Sequence, residues 1–384
     1  MSFSALVAEL AELEARGLGR RRRVLQGPQT AQVTVDGRRY LAFCSNDYLG
    51  LAAHPRLVRA AQEGAARYGI GAGASHLILG HGAAHHALEA ALAAFVGLPR
   101  ALLFSTGYMA NLGIVTALTG RGDAVFADKL NHASLNDAAL LSRAHFKRYP
   151  HLDLDALGKL LSTTRARRKL VVTDAVFSMD GDIAPLPELL ALCERHDAWL
   201  VLDDAHGFGV LGTGGRGVLS HFDITAPPRV IYMATLGKAA GVSGAFVAGG
   251  EAVTEMLIQR ARSYVYTTAM PPLLAHTLLE SLALIEHEQW RRDRLHNLII
   301  QLKQSVTGVR WKLLPSETAI QPLVVGGNAE AVAVAERLAQ RGLLVPAIRP
   351  PTVPQGSARL RISLSAAHSA DDVARLAAAL RESQ

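Results

Sequence analysis

The sequence of 384 residues has only two cysteines, Cys44 and Cys193. Two isolated thiols provide neither a disulfide framework nor a zinc site, and they are typical of a protein in a reducing compartment. No apolar run approaches the length of a membrane span, about 20 residues. The first residues include Glu9, Glu12 and Glu14 and lack the apolar core of a signal peptide. We therefore expect a cytoplasmic protein with no membrane contact.

Acidic residues are fewer than basic ones, 33 against 40, which gives a formal net charge of +7. The basic residues are spread along the chain, apart from runs at 20–23 and 165–169. No helix-turn-helix, zinc finger or RNA-binding motif accompanies them, so we expect no nucleic-acid partner and a preference for anionic substrates. The two runs are either solvated surface or a contact for an acidic acyl carrier protein.

Hydrophobic periodicity divides the chain into three parts. Residues 1–44 predict an N-terminal arm, formed by a helix at 4–15 and a hairpin at 32–43. Residues 45–280 alternate helices with short apolar strands, which predicts an α/β domain whose mostly parallel sheet is covered by helices on both faces. Residues 281–384 predict a smaller α+β domain. Within the last two parts we expect helices at 84–96, 108–118, 134–141, 186–196, 329–341 and 370–381, and strands at 101–105, 123–127, 169–174, 198–203, 229–234, 243–248, 319–325, 343–348 and 358–364.

Residues 69–82 are rich in glycine and other small residues, which predicts a loop pressed against another backbone or a ligand. His81 and His85 are one helical turn apart, and His86 follows. No third ligand or general-base glutamate accompanies them in a metal-site pattern, so we expect no metal.

Lys238 lies in a small-residue turn after an apolar strand. Burial among apolar neighbours would lower the pKa of its amine and make it a nucleophile suited to imine formation. The alternative is an ordinary lysine at a strand end with its ammonium group in water.

Other strand ends carry polar residues, and the carboxyl ends of parallel strands meet at one edge of a sheet. Asp203 ends one predicted strand, although a carboxylate there could also cap a turn. A turn at Gly107 opens a helix whose free amides could bind a phosphate. Together with Lys238 they match the needs of pyridoxal 5'-phosphate (PLP): an amine for the aldehyde, a carboxylate for the pyridinium nitrogen and a phosphate site.

Four motifs support this interpretation: SNDYLG at 45–50, DDAHG at 203–207, TLGK at 235–238 and PPTVP at 350–354. Together they resemble the α-oxoamine synthases, PLP-dependent enzymes of the aspartate-aminotransferase fold, which is fold type I. The similarity extends over essentially the whole chain. It implies a homodimer with the active site at the subunit interface.

The resemblance also implies residue roles. Lys238 would bind the cofactor aldehyde, Asp203 would pair with the pyridinium, and His132 would stack on the ring, although a lone histidine is more often structural. The remaining implied contacts are His206 and Ser178 with the phenolic oxygen, Gly107, Tyr108 and Thr235 with the phosphate, Thr267 and Thr268 with the partner's phosphate, Asn46 and Arg361 with the amino-acid carboxylate, and Arg20, Arg349 and Thr352 with the acyl substrate.

Residues 319–322 and 347–354 most resemble the family member that condenses L-alanine with a pimeloyl thioester in biotin synthesis. Condensation of glycine with acetyl-CoA or succinyl-CoA is the nearest alternative, because it uses the same catalytic residues. A non-catalytic regulator with this fold is a remote alternative. His76 departs from the family, since many relatives have an arginine in this glycine-rich loop.

Overall fold

The structure is a computed structural model that describes residues 3–16, 18–225 and 227–384. Its strands are β1 (Leu25–Gln26), β2 (Gln32–Val35), β3 (Arg38–Ala42), β4 (Arg100–Phe104), β5 (Ala124–Asp128), β6 (His145–Tyr149), β7 (Lys169–Asp174), β8 (Ala198–Asp203), β9 (Val230–Thr235), β10 (Ala245–Gly249), β11 (Lys312–Leu313), β12 (Ile320–Gly326), β13 (Leu343–Leu344), β14 (Ala347–Ile348) and β15 (Ala358–Ser363).

The helices are α1 (Ser4–Ala15), α2 (Pro55–Tyr68), α3 (Ala83–Val96), α4 (Gly107–Leu118), α5 (Ala133–Ser142), α6 (Leu154–Thr163), α7 (Leu186–Arg195), α8 (Val218–His221), α9 (Glu251–Arg260), α10 (Arg262–Val265), α11 (Pro272–His287), α12 (Gln289–Ser305), α13 (Asn328–Gln340) and α14 (Ala370–Glu382).

A seven-stranded sheet in the order β4-β10-β9-β8-β7-β5-β6 forms the centre of the large domain. Strands β5 to β9 pair in parallel, whereas β10 runs antiparallel to both of its neighbours. The strand β4 therefore has the same direction as β9. Because six of the seven strands share one direction, their carboxyl ends meet at a single edge.

Helices cover both faces of this sheet. On β8, Leu200 and Leu202 belong to one buried core cluster, and Val201 between them belongs to the second. Successive side chains of a strand point to opposite faces, so two cores require apolar residues at every position. This explains why the strand sequences are continuous apolar runs. Full burial of each such side chain contributes about 1.5–3 kcal/mol.

A second sheet, β11-β12-β15-β14, belongs to the C-terminal part of the chain. All six residues of β15 are buried. Leu360 and Ile362 join the main core, and Arg359 and Arg361 point the other way, towards the large sheet. Because side chains alternate between the two faces of β15, two of its arginines contact the large domain.

Most of the predicted helices and strands are confirmed to within a few residues, including the hairpin β2–β3. Its turn residues Asp36 and Gly37 both have positive φ, as a two-residue hairpin turn requires. The predicted strand 343–348 is wrong, because it divides into β13, which pairs with β3, and β14, which pairs with β15. Pro346 lies at the break and lacks the amide hydrogen that a continuous ladder needs.

Two other expectations need correction. The polar sequence at 45–50 predicts a turn that enters a helix directly, but this is wrong, since α2 begins only at Pro55. In the loop at 69–82, an added Cβ would collide only at Gly80, with the backbone of residue 74, and residues 76–80 form a π-helix. At Gly71 and Gly73 no atom of this chain lies within 4 Å of an added Cβ, so a close approach to a ligand or a second copy there stays a prediction.

The three-part division at residues 44/45 and 280/281 stays a prediction. The N-terminal hairpin shares its sheet with β13, so the arm is tied to the C-terminal part of the chain. All residues of α1 are exposed. In the three described ranges of the chain, the helices are too short or too polar to cross a membrane.

Gly181 is a test of how tightly the turn after β7 is held. Its φ is +71°, and an added Cβ would collide with Ile320 O and Ser316 Oγ of the C-terminal part. We expect Gly181→Ala to lower the free energy of unfolding by at least about 2 kcal/mol, since strain and overpacking add.

Gly97→Ala is the matched control, because Gly97 also has a left-handed backbone, with φ +69°, but an added Cβ has open space. It should cost only about 1 kcal/mol. Urea denaturation of both variants measures the difference; equal losses would contradict close packing at Gly181.

Candidate active site

The carboxyl edge of the large sheet collects a row of polar residues. Asp128 ends β5, Asp174 ends β7, Asp203 ends β8 and Thr235 ends β9. The register sets Asp174 directly beside Asp203. This edge is where open α/β sheets bind ligands.

A cavity of about 180 Å³ opens at this edge. It brings together eight of the residues predicted for the cofactor and catalysis, and it adds Ser134, Asp174, Ala205 and Met233. It is lined by Gly107, Tyr108, His132, Ser134, Asp174, Ser178, Asp203, Ala205, His206, Met233, Thr235 and Lys238.

Lys238 follows β9 and is partly buried, with its Nζ 2.8 Å from His206 Nε2. Burial lowers the pKa of the Lys238 amine to about 8, although the nearby charges of Asp203 and Asp174 oppose the shift. A substantial fraction of the amine is therefore neutral near pH 8, as nucleophilic attack on an aldehyde requires.

A chain of hydrogen bonds leads from Lys238 across the site. His206 Nδ1 lies 2.6 Å from the Tyr48 hydroxyl, which donates to Asn46 Oδ1 at 3.2 Å. Burial and the nearby charge of Lys238 hold the pKa of His206 well below its usual range, so its ring is neutral. With Lys238 donating to Nε2, the His206 proton lies on Nδ1 and points to Tyr48.

Asp203 is buried and held by two donors. Asn111 Nδ2 donates to its Oδ2 at 2.7 Å, and the backbone amide of Ala205 donates to its Oδ1 at 3.1 Å. Burial, followed by the charge of Asp203, raises the pKa of the neighbouring Asp174 well above its usual range. Asp174 therefore holds a proton more readily than an exposed aspartate does.

His132 precedes α5, and its side chain is exposed. Its backbone amide donates to Asp174 Oδ2 at 2.8 Å. Its Nδ1 accepts from the Ser134 amide at 3.3 Å and lies 2.7 Å from Ser134 Oγ. Because Nδ1 accepts, the proton of a neutral His132 ring lies on Nε2.

The predicted phosphate site lies at the start of α4. Gly107 is the first residue of this 12-residue helix, which Thr106 caps by accepting from the Met109 amide at 3.1 Å. Thr235 Oγ1 donates to the carbonyl of Gly244 at 3.0 Å, and the Tyr108 hydroxyl donates to Asp137. A helix start with free amides suits an anion, so the phosphate role stays a prediction with a suitable geometry.

Arg361 reaches the site from the C-terminal sheet. Its Nε donates to the Ser178 carbonyl at 2.5 Å, and both terminal nitrogens lie 3.3 Å from Asn46 Oδ1. Arg361 is 6% exposed and carries the positive charge that a substrate carboxylate needs. The predicted pair Asn46 and Arg361 is therefore in direct contact.

Three residues predicted for the acyl substrate line a separate cavity of about 720 Å³. Arg20, Arg349 and Thr352 share it with apolar side chains of α1, including Leu10 and Leu13. This arrangement combines an apolar wall with two cations.

Thr267 and Thr268 lie away from the 180 Å³ cavity, which agrees with a role toward a partner subunit but does not test it. Thr268 forms a β-bridge with Ser75 of the glycine-rich loop. In that loop His76 Nδ1 lies 3.1 Å from His81 Nδ1. Over the ranges that the structure describes, no group of three or more metal-ligating side chains has metal-site geometry.

The sequence predictions missed three contributors, Tyr48, Asn111 and Asp174. Tyr48 lies in the motif SNDYLG and Asn111 in the predicted helix 108–118, but their partners His206 and Asp203 are 158 and 92 residues away. Asp174 could have been predicted from the sequence, since it ends the predicted strand 169–174 just as Asp203 ends the next predicted strand.

Comparisons with known proteins place this chain in a family. Residues 38–380 match the family model described as aminotransferase class I and II. The 8-amino-7-oxononanoate synthase of Nitrosomonas europaea is 68% identical over 375 residues, 97% of this chain and 97% of that protein. The chain belongs to the 8-amino-7-oxononanoate synthase family of the class I and II aminotransferases. It is an enzyme, an acyltransferase, so the regulator alternative is excluded.

Solved structures agree on the fold, which is fold type I of the PLP-dependent transferases. A serine palmitoyltransferase from Sphingomonas wittichii has a TM-score of 0.92 at 32% identity, covering 99% of this chain and 96% of that one. An 8-amino-7-oxononanoate synthase from Francisella tularensis has a TM-score of 0.78 at 32% identity, covering 89% and 97%. Because related folds host different substrates, the 68% sequence identity carries more weight on family membership than the difference in TM-score.

The enzyme depends on PLP, and the residues at the carboxyl edge fit this cofactor. Asp203 is a buried carboxylate that a protonated ring nitrogen would neutralise, and Lys238 supplies an amine with a pKa of about 8 for the aldehyde. The start of α4 supplies amides for the phosphate. Each chemical part of the cofactor therefore has a matching group in one cavity.

Proposed function

We propose that the enzyme condenses L-alanine with a pimeloyl thioester to form 8-amino-7-oxononanoate, carbon dioxide and the free thiol carrier, in biotin synthesis. The observation that carries the proposal is one cavity lined by Lys238 and Asp203. The Arg361–Asn46 pair adjoins this cavity through the Ser178 carbonyl, which accepts from Arg361. Lys238 supplies an amine for the cofactor aldehyde, and Asp203 supplies a carboxylate for the ring nitrogen. The Arg361–Asn46 pair suits the substrate carboxylate. The reaction breaks the thioester C–S bond and the Cα–carboxylate bond, and forms one C–C bond.

When bound, PLP supplies an aldehyde carbon that takes the amino group of alanine and a ring that withdraws electrons from Cα. Lys238, once neutral, removes the Cα proton and later returns a proton to that carbon. Asp203 holds the proton on the ring nitrogen through its carboxylate. Arg361 binds the carboxylate of alanine until it leaves as carbon dioxide.

His132 is suited to assist at the acyl oxygen. Since its Nδ1 accepts from the Ser134 amide, its Nε2–H is the available donor. A hydrogen bond from Nε2 to the thioester carbonyl would stabilise the negative charge that develops on its oxygen, and one to the carboxylate of alanine would orient that group before it leaves.

The 720 Å³ cavity is the proposed acyl site. A pimeloyl chain combines methylene groups with a terminal carboxylate, and the cavity offers apolar residues of α1 together with Arg20 and Arg349. The exposed run at 20–23 near this opening could receive a coenzyme A phosphate or an acidic carrier protein. A KM that rises steeply with salt for the carrier-protein substrate, but not for the coenzyme A substrate, would support a contact with an acidic carrier protein.

We further propose a cytoplasmic homodimer. Leu77, Ile78, Leu79 and Tyr266 are 48–86% exposed, and the Ser75–Thr268 bridge joins their two segments into one apolar surface that a second copy would cover. Both cysteines are free, in agreement with a reducing compartment. Analytical ultracentrifugation of the purified enzyme would test the dimer; a monomer at micromolar concentration would contradict it.

The substrate proposal is tested by steady-state kinetics with alanine and glycine, each combined with pimeloyl, succinyl and acetyl thioesters. We expect the highest kcat/KM for alanine with the pimeloyl thioester. Arg349→Ala should raise the KM for the pimeloyl thioester about tenfold and leave the KM for alanine within about twofold, because a lost ion pair weakens only its own ligand. A preference for glycine would contradict the proposal.

A further inference from the structure

His151 lies outside the cofactor cavity but contacts two turns that build it. It follows β6, and its Nδ1 lies 3.0 Å from Asp128 Oδ1, while its Nε2 lies 2.7 Å from Asp182 Oδ2. Its ring meets that of Phe177 edge-on, with centroids 4.4 Å apart. The imidazole thus joins the end of β5 to the turn that follows β7.

The geometry requires a charged imidazole. Asp128 is fully buried and also accepts from the backbone amides of Leu130 and Leu152, both at 2.8 Å, so both of its oxygens act as acceptors. Both ring nitrogens of His151 face carboxylate oxygens, and both can donate only when the ring is protonated. Burial alone would lower the pKa of His151, but the hydrogen bonds to Asp128 and Asp182 outweigh it and raise the pKa to about 10.

The first of these turns, at 128–132, carries His132. The Asn131 amide donates to the Asp128 carbonyl at 3.2 Å, and the Asn131 side chain donates to the Val172 carbonyl at 2.7 Å. The position of Asp128 therefore sets where His132 meets the cavity.

The second turn, at 177–182, orients the arginines of β15. The Ser178 carbonyl accepts from Arg361, and Asp180 accepts from Arg359 at 2.6 Å. The Phe177 amide donates to the Asp182 carbonyl at 3.0 Å and closes the turn. A displacement of Asp182 would therefore move Ser178, and with it the carbonyl that orients Arg361.

We propose that His151 is a positioning residue for the reaction: as an imidazolium between Asp128 and Asp182, it holds the turn of His132 against the turn that orients Arg361. The proposal rests on the proposed function where it concerns the amino-acid carboxylate. It predicts separable effects on the two turns, because each ring nitrogen serves one of them.

Two amide substitutions separate the two contacts. In His151→Asn the amide nitrogen takes the place of Nδ1, so the contact to Asp128 is kept and that to Asp182 is lost. We expect the KM for L-alanine to rise about tenfold and kcat to fall less than about threefold. In His151→Gln the amide nitrogen takes the place of Nε2. There kcat should fall about tenfold and the Kd of PLP for the apoenzyme should rise, with the KM for alanine nearly unchanged.

Asp182→Asn keeps an acceptor for Nε2 but removes its charge, so it should raise the KM for alanine less than His151→Asn does, and the double variant should add little to His151→Asn. Arg167→Gln is the structural control, because Arg167 pairs with buried Asp123 next to the amino end of β5, at the opposite edge of the sheet. It should lower Tm and leave KM and kcat unchanged.

Folded His151→Asn, His151→Gln and Asp182→Asn proteins whose KM, kcat and PLP Kd all match those of the parent would overturn the proposal. The proposal would also be overturned if His151→Asn and His151→Gln lowered Tm equally and changed KM and kcat in the same way. That result would indicate a purely structural role for His151. The PLP Kd is measured on apoenzyme by fluorescence quenching and needs no turnover. If the parent enzyme prefers another amino acid, the proposed function fails. The role of His151 is then decided by the KM for that amino acid and the kcat of the same variants.

Discussion

Lys238→Ala is expected to lower kcat by more than about 10³-fold, because it removes both the amine that binds the aldehyde and the base that handles the Cα proton. The variant should still bind PLP through Asp203 and the start of α4, but without a covalent link. Its cofactor should be removed by gel filtration and should lack the absorbance band of a protein-bound imine.

Lys129→Ala is the control for this prediction. Lys129 follows β5 at the same edge of the sheet, but its side chain is exposed. Its removal should leave kcat and the imine band unchanged. Full turnover and a wild-type absorbance spectrum in Lys238→Ala would disprove the assignment of Lys238.

Asp203→Asn has the second largest expected effect. The substitution keeps the volume but removes the negative charge that stabilises a proton on the ring nitrogen, so the ring withdraws electrons less strongly. We expect kcat to fall about 10²–10⁴-fold, the range of a lost proton-handling group, and PLP to bind more weakly.

The adjacent Asp204→Asn separates this effect from simple loss of a buried charge. Asp204 accepts from the Val218 amide and the Tyr232 hydroxyl, both at 2.7 Å, and does not line the cofactor cavity. Burial raises the pKa of Asp204 to about 7, so a neutral amide resembles one of its natural states. Asp204→Asn should keep kcat within about threefold; equal kcat losses in both variants would refute a specific role for Asp203.

Much of the large domain could be predicted because its signals are local. Each central strand is a continuous apolar run, since both faces of the sheet are covered, and each ends at a polar residue. The strand β6 was missed because it lies at the edge of the sheet and four residues of its sequence, HFKRY, are half-buried or exposed, so it carries no apolar run. The neighbouring helix α6 was missed with it.

That Lys238 and Asp203 lie in one cavity could be predicted for the same reason. Both residues follow apolar strands, and parallel strands bring their carboxyl ends to one edge whatever the rest of the chain does. The chemistry of each side chain then indicated an aldehyde cofactor with a basic ring nitrogen.

What the sequence alone determined is therefore the sheet, its polar edge and the family. Tertiary structure decided which distant residues complete that edge: Arg361 meets Ser178 across 183 positions, Tyr48 meets His206 across 158, and His151 bridges two turns. These contacts depend on how separate elements pack. Sequence periodicity does not predict these contacts, because it indicates which face of a helix or strand is buried but not which element packs against that face.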